Sequence, residues 1–585
     1  MKYPTFTAPR SSRDMVDVFQ GYNHNLRIGD GEFFDMKNLT SEYYPVLSPR
    51  GKRGKYADVE NPQGMIAKDS LCYVDGTDFV INEYRVKMGL STAAEDCPKQ
   101  LISMGAYVII MPDKKWVNTM NTNEYGDIEA TFTTKSDVEF QLCDREGGGY
   151  ANTTISDTEP KDPNNMDYWI DTSTTPHTLK QYASTTDMWV NIATTYVKIS
   201  SPGIGAAFQQ YDGVTISGIT NEKMLSLNAT MTIWSCSDDY IVVVGICDSV
   251  TSQKLSEGAI TIKREMPKMD YIVESENRLW GCRYGTDNDG QIVNSLYASK
   301  LGDFKNWNCF MGLSTDSYAA SVGTDGQFTG AITHLGYPLF FKESCVHKVY
   351  GNYPANFQIQ TTACRGVQKG CDKSLVIVNE TLFYKARSAV CAYDGSLPTE
   401  ISGALGDRVY SDAVAGTHRN KYYISMKDTD GVYHLFVYDT YKGMWHREDN
   451  LQADAFCTNM GELYCIEHGK KQITTMMGSG EKSTESVRWM AETGTIGTSG
   501  PDQKYISRLT VRMSLAMGAK VMFFAQYNSM GDWEPLGAMS ATALRSFSVP
   551  IRPKRCDHFK LRIEGIGEAR IYSITKTIEQ GSELS

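Results

Sequence analysis

Few residues of this sequence have the types and the spacing that chemistry needs. Residues 285–290 read GTDNDG, and clustered carboxylates suit Ca²⁺, but the run has neither the spacing of an EF-hand loop nor its distal Glu. We interpret it as a hairpin turn, and we interpret Asp428 and Asp430 in the same way. His334 and His347 have no Cys or carboxylate at ligand spacing around them. They are interpreted as structural or exposed imidazoles, so no metal site is expected.

No sequence motif of a known catalytic class is present. The chain contains no GxSxG, HExxH, Walker or kinase motif. A glycosidase would need paired carboxylates, which any two blades of a propeller could supply. However, the repeated Ser-x-Asp-x-Gly-x-x-Trp turns typical of sialidase-like propellers are missing. We therefore expect no catalytic residue and no cofactor, and we expect that the chain is not an enzyme.

Two aromatic residues near the C-terminal end form a candidate contact site. Trp533 and Tyr527 flank a Gly-bearing loop, and aromatic rings in such a place stack on sugars in lectin-like domains. Core packing or a contact between subunits is the alternative interpretation. Residues 552–555 contain a short basic cluster, Arg552, Lys554 and Arg555, which is interpreted as a solvated loop.

The elements that must position these residues are β-strands, because stretches with helical periodicity are nearly absent. The clearest stretch is 421–449, in which three short apolar and aromatic runs are joined by Asp430-Gly431 and by residues 439–443. Both connections are typical of tight turns. Three strands joined in this way form an antiparallel meander, which is most of one propeller blade.

A similar apolar run recurs along the chain. It begins at Leu71, Tyr107, Leu279, Leu339, Leu382, Tyr422 and Leu463. From Leu339 onward the spacing is about 40 residues, which is close to the period of propeller blades. The pattern predicts a β-propeller of about six or seven blades. Two stacked sandwiches with the same spacing by chance are the alternative.

The long gap between Tyr107 and Leu279 indicates an inserted domain. Its residues 194–201 and 211–219 alternate with period two, so the insertion is also predicted to be β-structure. After a soft linker near residue 480, Leu509, Val511 and Met513 alternate with polar residues, and several further strands follow.

The predicted fold class is all-β: a propeller with an inserted β domain and a C-terminal β-sandwich of jelly-roll type. The predicted domains are residues 1–139 for the N-terminal segment and first blades, 140–265 for the insertion, 266–477 for the remaining blades and 487–585 for the sandwich. Strands from both sides of the insertion are expected to close one ring.

The charge and composition of the chain limit which kinds of partner it is expected to bind. The net charge of −11 over 585 residues argues against a broad nucleic-acid-binding surface, and it suits a surface past which DNA slides without sticking. The start of the sequence has no apolar region typical of a secretory signal, and no apolar run approaches the length of a membrane span. The 14 Cys are scattered singly, so reduced thiols and assembly in a cytosol are expected.

Several stretches resemble one family of tailed bacteriophages, the packaged-DNA stabilisation proteins, also called tail hub or nozzle proteins. Residues 19–53 carry an opening and a Pro-Val-Leu step similar to those of the family, and residues 294–310, NSLYASKLGDFKNWNCF, are similar to a family blade. Residues 336–351 and 364–402 continue this resemblance. The inserted region and the terminal sandwich depart from the shorter members.

The resemblance implies a structural virion protein of the phage tail, assembled in the host cytoplasm. Several copies, commonly six, would form a ring next to the portal and its adaptor, with contacts to other tail proteins and possible contacts to tail fibres. The ring would retain packaged double-stranded DNA and conduct it during ejection without reading its sequence. The alternative hypothesis is a tail-tip or baseplate adhesin that recognises host surface glycan, and a third is a propeller hydrolase of surface polysaccharide.

Overall fold

A computed structural model describes residues 11–94, 98–287, 290–484, 486–497, 503–540 and 542–580. Within these ranges the regular structure is almost all strand. Short 3-10 turns lie at Glu222–Leu227, Leu255–Glu257, Pro354–Asn356, Asp372–Ser374 and Gly403–Leu405. In the described part of the chain, no helix has the length and apolar character needed to cross a membrane. This strand content agrees with the predicted all-β class.

The strands before the insertion comprise an N-terminal group and two blades. The N-terminal group is β1 (Ser11–Val16), β2 (Gly21–Tyr22), β3 (Glu32–Lys37), β4 (Leu39–Thr40), β5 (Ser48–Pro49) and β6 (Gly54–Asp58). The first blade is β7 (Pro62–Ala67), β8 (Leu71–Asp75), β9 (Asp78–Ile81) and β10 (Tyr84–Lys87). The second is β11 (Gln100–Met104), β12 (Tyr107–Met111), β13 (Lys115–Asn118) and β14 (Tyr125–Asp127).

The insertion contains thirteen strands in three sheets. They are β15 (Ala130–Thr133), β16 (Val138–Cys143), β17 (Thr153–Ser156), β18 (Tyr168–Asp171), β19 (Thr178–Ala183), β20 (Met188–Asn191), β21 (Tyr196–Ser200), β22 (Gly213–Ser217), β23 (Thr230–Thr232), β24 (Ser235–Ser237), β25 (Tyr240–Val244), β26 (Thr251–Gln253) and β27 (Thr261–Arg264). The sheets have the orders β15-β27-β22-β23, β24-β25-β21-β16-β26 and β17-β18-β19-β20. Because β15 pairs with β27, the inserted sheets begin before residue 140, the predicted start.

Five further blades follow the insertion. Blade three is β28 (Tyr271–Ser275), β29 (Arg278–Thr286), β30 (Ile292–Ala298) and β31 (Tyr318–Ser321), and blade four is β32 (Gly330–His334), β33 (Tyr337–Lys342), β34 (Cys345–Tyr350) and β35 (Gln358–Ala363). Blade five is β36 (Val376–Val378), β37 (Thr381–Lys385), β38 (Val390–Tyr393) and β39 (Thr399–Glu400). Blade six is β40 (Tyr410–His418), β41 (Lys421–Asp428), β42 (Tyr433–Asp439) and β43 (Met444–Arg447). Blade seven is built on β44 (Ala453–Asn459), β45 (Glu462–Glu467) and β46 (Gln472–Thr475).

The N-terminal strand β6 completes blade seven. It pairs antiparallel with β46, so that Gly54 lies opposite Thr475. The first strands of successive blades adjoin one another around the ring, except that β32 of blade four meets the 3-10 turn Asp372–Ser374 that precedes β36 of blade five, and β44 of the last blade lies against β7 of the first. The predicted closure of one ring from both sides of the insertion is therefore confirmed. Closure pairs an edge that would otherwise be open to other chains.

The recurring apolar run of the sequence is the second strand of each blade. In blade one all five residues of β8 are buried, and in blade seven all six residues of β45 are buried. A strand in this position has a neighbouring blade on each face, so both of its faces carry apolar side chains. This explains why the repeat is visible in the sequence as a continuous run rather than as an alternation.

The terminal strands form a sandwich that is continuous with the propeller. These strands are β48 (Arg488–Thr493), β49 (Lys504–Leu515), β50 (Lys520–Tyr527), β51 (Glu534–Met539), β52 (Arg545–Val549), β53 (Phe559–Ile566) and β54 (Ala569–Gln580). The preceding β47 (Glu481–Lys482) pairs with β6 in the sheet of blade seven. One sheet has the order β1-β54-β49-β52, and the other is part of a ten-stranded sheet, β40-β41-β42-β43-β2-β3-β48-β53-β50-β51. Blade six and the sandwich therefore share one sheet through β2 and β3.

The sandwich core follows the alternation seen in the sequence. Leu509, Val511 and Met513 on β49 are at most 1% exposed, while Arg508 and Arg512 point to solvent. The same apolar cluster continues from the sandwich through the N-terminal strands into blades four to six. A shared core of this kind resists hinge motion, because bending would separate packed side chains.

The insertion is fixed on blade three by a buried polar contact. Asp212 accepts a hydrogen bond from Asn306 at 2.8 Å and forms an ion pair with Arg264 at 2.5 Å. The side-chain oxygen of Asn306 accepts from the backbone N–H of Gly213 at 2.9 Å. Because all these groups are buried and paired, separating the insertion from the blade would leave them unsatisfied.

Candidate functional site

The first candidate site is the axial channel of the propeller, a cavity of about 550 Å³ lined by residues from all seven blades. Each blade contributes residues of its first strand or of the segment just before it, and blade two adds Met111 and Pro112 at the end of β12. Representative lining residues, one from each blade in order, are Met65, Gln100, Tyr271, Ala331, Asp372, Ala415 and Phe456. The cavity has the volume of a small-molecule site, and such sites are concave and mostly apolar with few polar groups.

Two carboxylates line this channel in different states. The charge of Asp270 is paired within the protein, because its carboxylate accepts a hydrogen bond from Arg283 at 2.6 Å and another from the backbone N–H of Tyr284 at 2.8 Å. Asp372 begins the 3-10 turn before blade five. Among the described residues, no other residue donates a hydrogen bond to its carboxylate. Asp372 is therefore the carboxylate that remains available to a ligand.

Burial sets the electrostatics at Asp372. Removal from water raises the pKa of the Asp372 carboxyl, and the neighbouring Lys373 ammonium opposes this rise. Burial also lowers the pKa of Lys373, whose Nζ donates to the carbonyl of Asp454 at 2.7 Å. A poorly solvated carboxylate beside a poorly solvated ammonium can exchange hydrogen bonds with a polar ligand, and groups of this kind concentrate at functional sites.

The second ammonium group of the channel, that of Lys99, is already ion-paired within the protein. The Nζ of Lys99 lies 2.6 Å from Asp113, and both side chains are buried. An ion pair of this kind is self-contained and contributes little to ligand binding unless it is broken. The chemistry of the channel is therefore concentrated at Asp372 and Lys373.

A larger cleft, of about 1220 Å³, lies between blade seven and the sandwich. At its base Arg53 donates to Asp449 and Glu448, each at 2.8 Å, and Arg50 contacts the same two carboxylates. Burial opposes the charge on Asp449, but Arg53 and Arg50 outweigh burial and hold the pKa of that carboxyl below its usual value. This network links the N-terminal segment to blade six and serves the structure.

An apolar depression of about 450 Å³ lies on blades three and four. Phe310, Leu313 and Tyr353 line it and are 59%, 50% and 43% exposed, together with Pro354 and Ala355. Contiguous apolar surface of this kind marks contact sites for other macromolecules.

Trp533 and Tyr527, the predicted contact pair, lie at the β50–β51 hairpin. The Arg562 guanidinium lies 4.1 Å from the centre of the Trp533 ring, and the Lys554 ammonium lies 5.6 Å from that of Tyr527. Both aromatic residues are half-buried, and Tyr527 packs against the sandwich core. A sugar that stacked on either ring would have to displace a cation or use the opposite face.

The remaining candidates of the sequence fall at separate places. β29 pairs antiparallel with β30, and the turn predicted for residues 285–290 falls on the connection between them, of which Asn288 and Asp289 lie outside the described residues. His334 and His347 are buried and contact the Glu380 carbonyl and the hydroxyls of Thr324 and Thr361, respectively.

The basic cluster predicted from the sequence and the possible metal ligands were located in the described part of the chain. The basic cluster at residues 552–555 is exposed, as expected for a solvated loop, and Lys554 pairs with Glu534. Within the described ranges, no group of three His, Cys, Asp or Glu residues is placed to hold a metal ion.

The axial site was missed from the sequence. Its lining residues come from seven separate segments, and Asp372 and Lys373 stand in the unremarkable run CDKSL. The available signal was positional: a charged pair just before the first strand of a blade points towards the propeller axis. Using that signal requires the blade boundaries, which the spacing of the apolar runs predicts only approximately.

No protein-family model and no curated protein matches this sequence. Among solved structures, an exo-beta-1,3-galactanase from Phanerochaete chrysosporium is similar at 9% identity and a TM-score of 0.22, over 52% of this chain and 95% of that chain. The Trypanosoma rangeli sialidase is similar at 9% identity and a TM-score of 0.19, over 97% and 96%. An acylaminoacyl peptidase from Pyrococcus horikoshii is similar at 9% identity and a TM-score of 0.24, over 60% and 57%.

These similarities correct one expectation. The expectation that the chain is not an enzyme is contradicted, because the similar structures are glycoside hydrolases, a sialidase and a peptidase. The lack of a sequence motif does not exclude catalysis, because the paired carboxylates of a propeller glycosidase can come from separate blades and leave no local pattern. At such identities and TM-scores, no substrate, catalytic residue or partner of those proteins is carried over to this chain.

Proposed function

We propose that this chain is a subunit of a phage tail hub or nozzle, in which several copies, six by the resemblance, form a ring that retains packaged DNA and conducts it during ejection. The proposal starts from the resemblance of residues 19–53, 294–310, 336–351 and 364–402 to that family. The ring would sit in the virion tail next to the portal and its adaptor, with other tail proteins and fibres on its outer face.

The apolar depression on blades three and four is the observation that carries this proposal. Phe310, Leu313 and Tyr353 expose large apolar side chains around a single hollow. Covering them removes apolar surface from water, at about 25 cal/mol per Å². In a ring of subunits, this patch of each subunit would contact a different patch of the next subunit. Such head-to-tail contacts generate a closed ring.

The continuity of the ten-stranded sheet supports a mechanical role. Blade six, β2, β3 and half of the sandwich are hydrogen-bonded into one sheet, and their apolar cores are continuous. The propeller and the sandwich therefore move as one body under load, which suits a subunit held between a portal and a tail.

The size of the axial channel indicates where DNA would pass. A cavity of about 550 Å³ accepts a small molecule, whereas the major groove of B-DNA alone is about 12 Å wide. DNA would therefore pass through the space enclosed by several subunits and not through the propeller. The net charge of −11 would limit adhesion of DNA to the walls.

Cryo-EM of virions that contain the chain tests this proposal. We expect several copies around the tail axis directly below the portal, with the depression of each copy covered by its neighbour. A single copy or a trimer at the end of a fibre would overturn the hub assignment.

A pair of variants tests the contact surface. Phe310→Asp should prevent ring assembly and incorporation into particles, because a charge would be buried in the contact. Leu397→Asp is the matched control, since Leu397 is also 59% exposed but does not line the depression. Normal assembly of the Phe310→Asp protein would show that this surface is not the interface.

A further inference from the structure

The axial channel offers a ligand an unusual pair of neighbouring groups. The Asp372 carboxylate has hydrogen-bond acceptors that no other described residue uses. The Lys373 ammonium is a donor with three protons, and one of them is directed to the Asp454 carbonyl. The pair therefore presents free hydrogen-bond acceptors and free hydrogen-bond donors next to each other in the channel wall.

The chemistry of this pair selects a class of ligand. A carboxylate ligand would be attracted by Lys373 and repelled by Asp372, and an amine would meet the reverse. A hydroxyl both donates and accepts, so two adjacent hydroxyls satisfy the carboxylate and the ammonium together. A neutral molecule with vicinal hydroxyls is thus a ligand that neither group repels, in either orientation.

The remaining wall suits the carbon face of such a molecule. Met65, Met269 and Met111 line the channel with Tyr271 and Phe456. Thioether and aromatic side chains adapt to and pack against C–H surfaces. The volume of about 550 Å³ is in the range of small-ligand sites, which fits one or two sugar rings.

We propose that the axial channel binds a neutral carbohydrate of one or two rings, whose vicinal hydroxyls donate to Asp372 and accept from Lys373. The site is separate from the apolar depression, from the sandwich hairpin of Trp533 and Tyr527 and from the proposed ring contact. It does not depend on the hub assignment: a tail subunit with such a pocket would contact host or capsular sugar, and a protein outside a tail would retain the pocket.

Saturation-transfer NMR on the full-length protein tests this site, with maltose and lactose as neutral probes and N-acetylneuraminic acid and methyl phosphate as anionic probes. We expect ring-proton signals from at least one neutral sugar and no methyl signal from methyl phosphate. Asp372→Asn should weaken the affinity for that sugar at least tenfold, because an amide replaces one acceptor with a donor. Asp430→Asn, the same change at an exposed turn carboxylate, should leave the affinity unchanged.

Two controls keep the result decisive. The thermal midpoint of Asp372→Asn shows that the variant is folded, so a lost signal cannot come from unfolding. Lys373→Met should also weaken binding, whereas Lys161→Met, at an exposed lysine of the insertion, should not. The proposal is overturned if no neutral sugar binds, if only the anionic probes bind, or if binding persists in Asp372→Asn.

Discussion

Tyr22 lies directly opposite Trp445, where the two-residue strand β2 pairs antiparallel with the last strand of blade six. Through this pair and the adjoining β3, the N-terminal segment joins the propeller to the sheet of the C-terminal sandwich. The joint is short, and the backbones approach closely. A Cβ atom at Gly21 would lie 2.4 Å from the carbonyl oxygen of Trp445.

Gly21→Ala should loosen this joint. Gly21 has a φ of +87°, a conformation that costs other residues about 1–2 kcal/mol, and the added methyl would also displace the Trp445 backbone. Gly76→Ala is the control, since Gly76 has a φ of +62° but nothing within 4 Å of the added Cβ. We expect calorimetry to show a larger loss of stability for Gly21→Ala than for Gly76→Ala, and a broadened or divided unfolding transition. Equal losses in the two variants would show that the close approach does not matter.

Trp445→Ala should destabilise blade six by about 3–5 kcal/mol. The side chain is 2% exposed, its indole N–H donates to the Ile401 carbonyl at 2.8 Å, and it packs against Tyr438. The measurement is urea unfolding followed by fluorescence. Tyr441→Ala changes a 77% exposed residue of the preceding turn, and its urea midpoint should equal that of the wild type within error. A wild-type midpoint for Trp445→Ala would rule out a core role.

His347 should make the protein sensitive to acid. Burial lowers its pKa to about 4, and the Lys342 ammonium acts in the same direction; its ring nitrogens contact Thr324 and Thr361, and Cys345 lies nearby. Between pH 6.5 and 4 the unfolded chain binds a proton at this residue and the folded protein does not. Stability is therefore lost as pH falls through that window, by up to about 3 kcal/mol.

The measurement is the free energy of unfolding at several pH values. His347→Gln should show a smaller decrease between pH 6.5 and 4 than the wild type. His468→Gln, whose parent side chain is 60% exposed, should retain the wild-type slope. An unchanged slope in His347→Gln would assign the acid sensitivity to other groups.

Asp372→Asn should increase stability at neutral pH. Burial raises the pKa of this carboxyl in the folded protein, so above the unfolded value of about 3.9 the folded state binds more protons and stability falls as pH rises. The amide has no charge to desolvate. Urea midpoints should therefore favour the variant at pH 7 and coincide with the wild type near pH 4. A lower midpoint at pH 7 would mean that Asp372 has a stabilising partner.

Much of the fold could be predicted because the second strand of each blade is buried on both faces. Leu71, Tyr107 and Leu463 lie at or next to the start of such strands, and their apolar runs stand out without any knowledge of the neighbours. The ring and the insertion followed from their spacing. The alternation on β49 predicted a strand with one buried face for the same physical reason.

The N-terminal strands and the axial site were not predictable in this way. β6 reads GKYAD and is recognisable only beside β46, because long-range pairing determines its conformation. Asp372 and Lys373 gain their character from burial by other blades, which no local pattern records. The pair Trp533 and Tyr527 was visible as aromatic composition, but the cations that cover the rings come from residues 554 and 562, on other segments.

The closure of blade seven by β6 has a consequence for biosynthesis. The ribosome makes residues 54–58 long before their partner strand, Gln472–Thr475, which emerges more than four hundred residues later. At about 5–20 residues per second that interval is on the order of a minute. Throughout it the nascent polypeptide carries β6 without its partner β46, so this strand has to be kept from pairing with other chains until translation reaches blade seven.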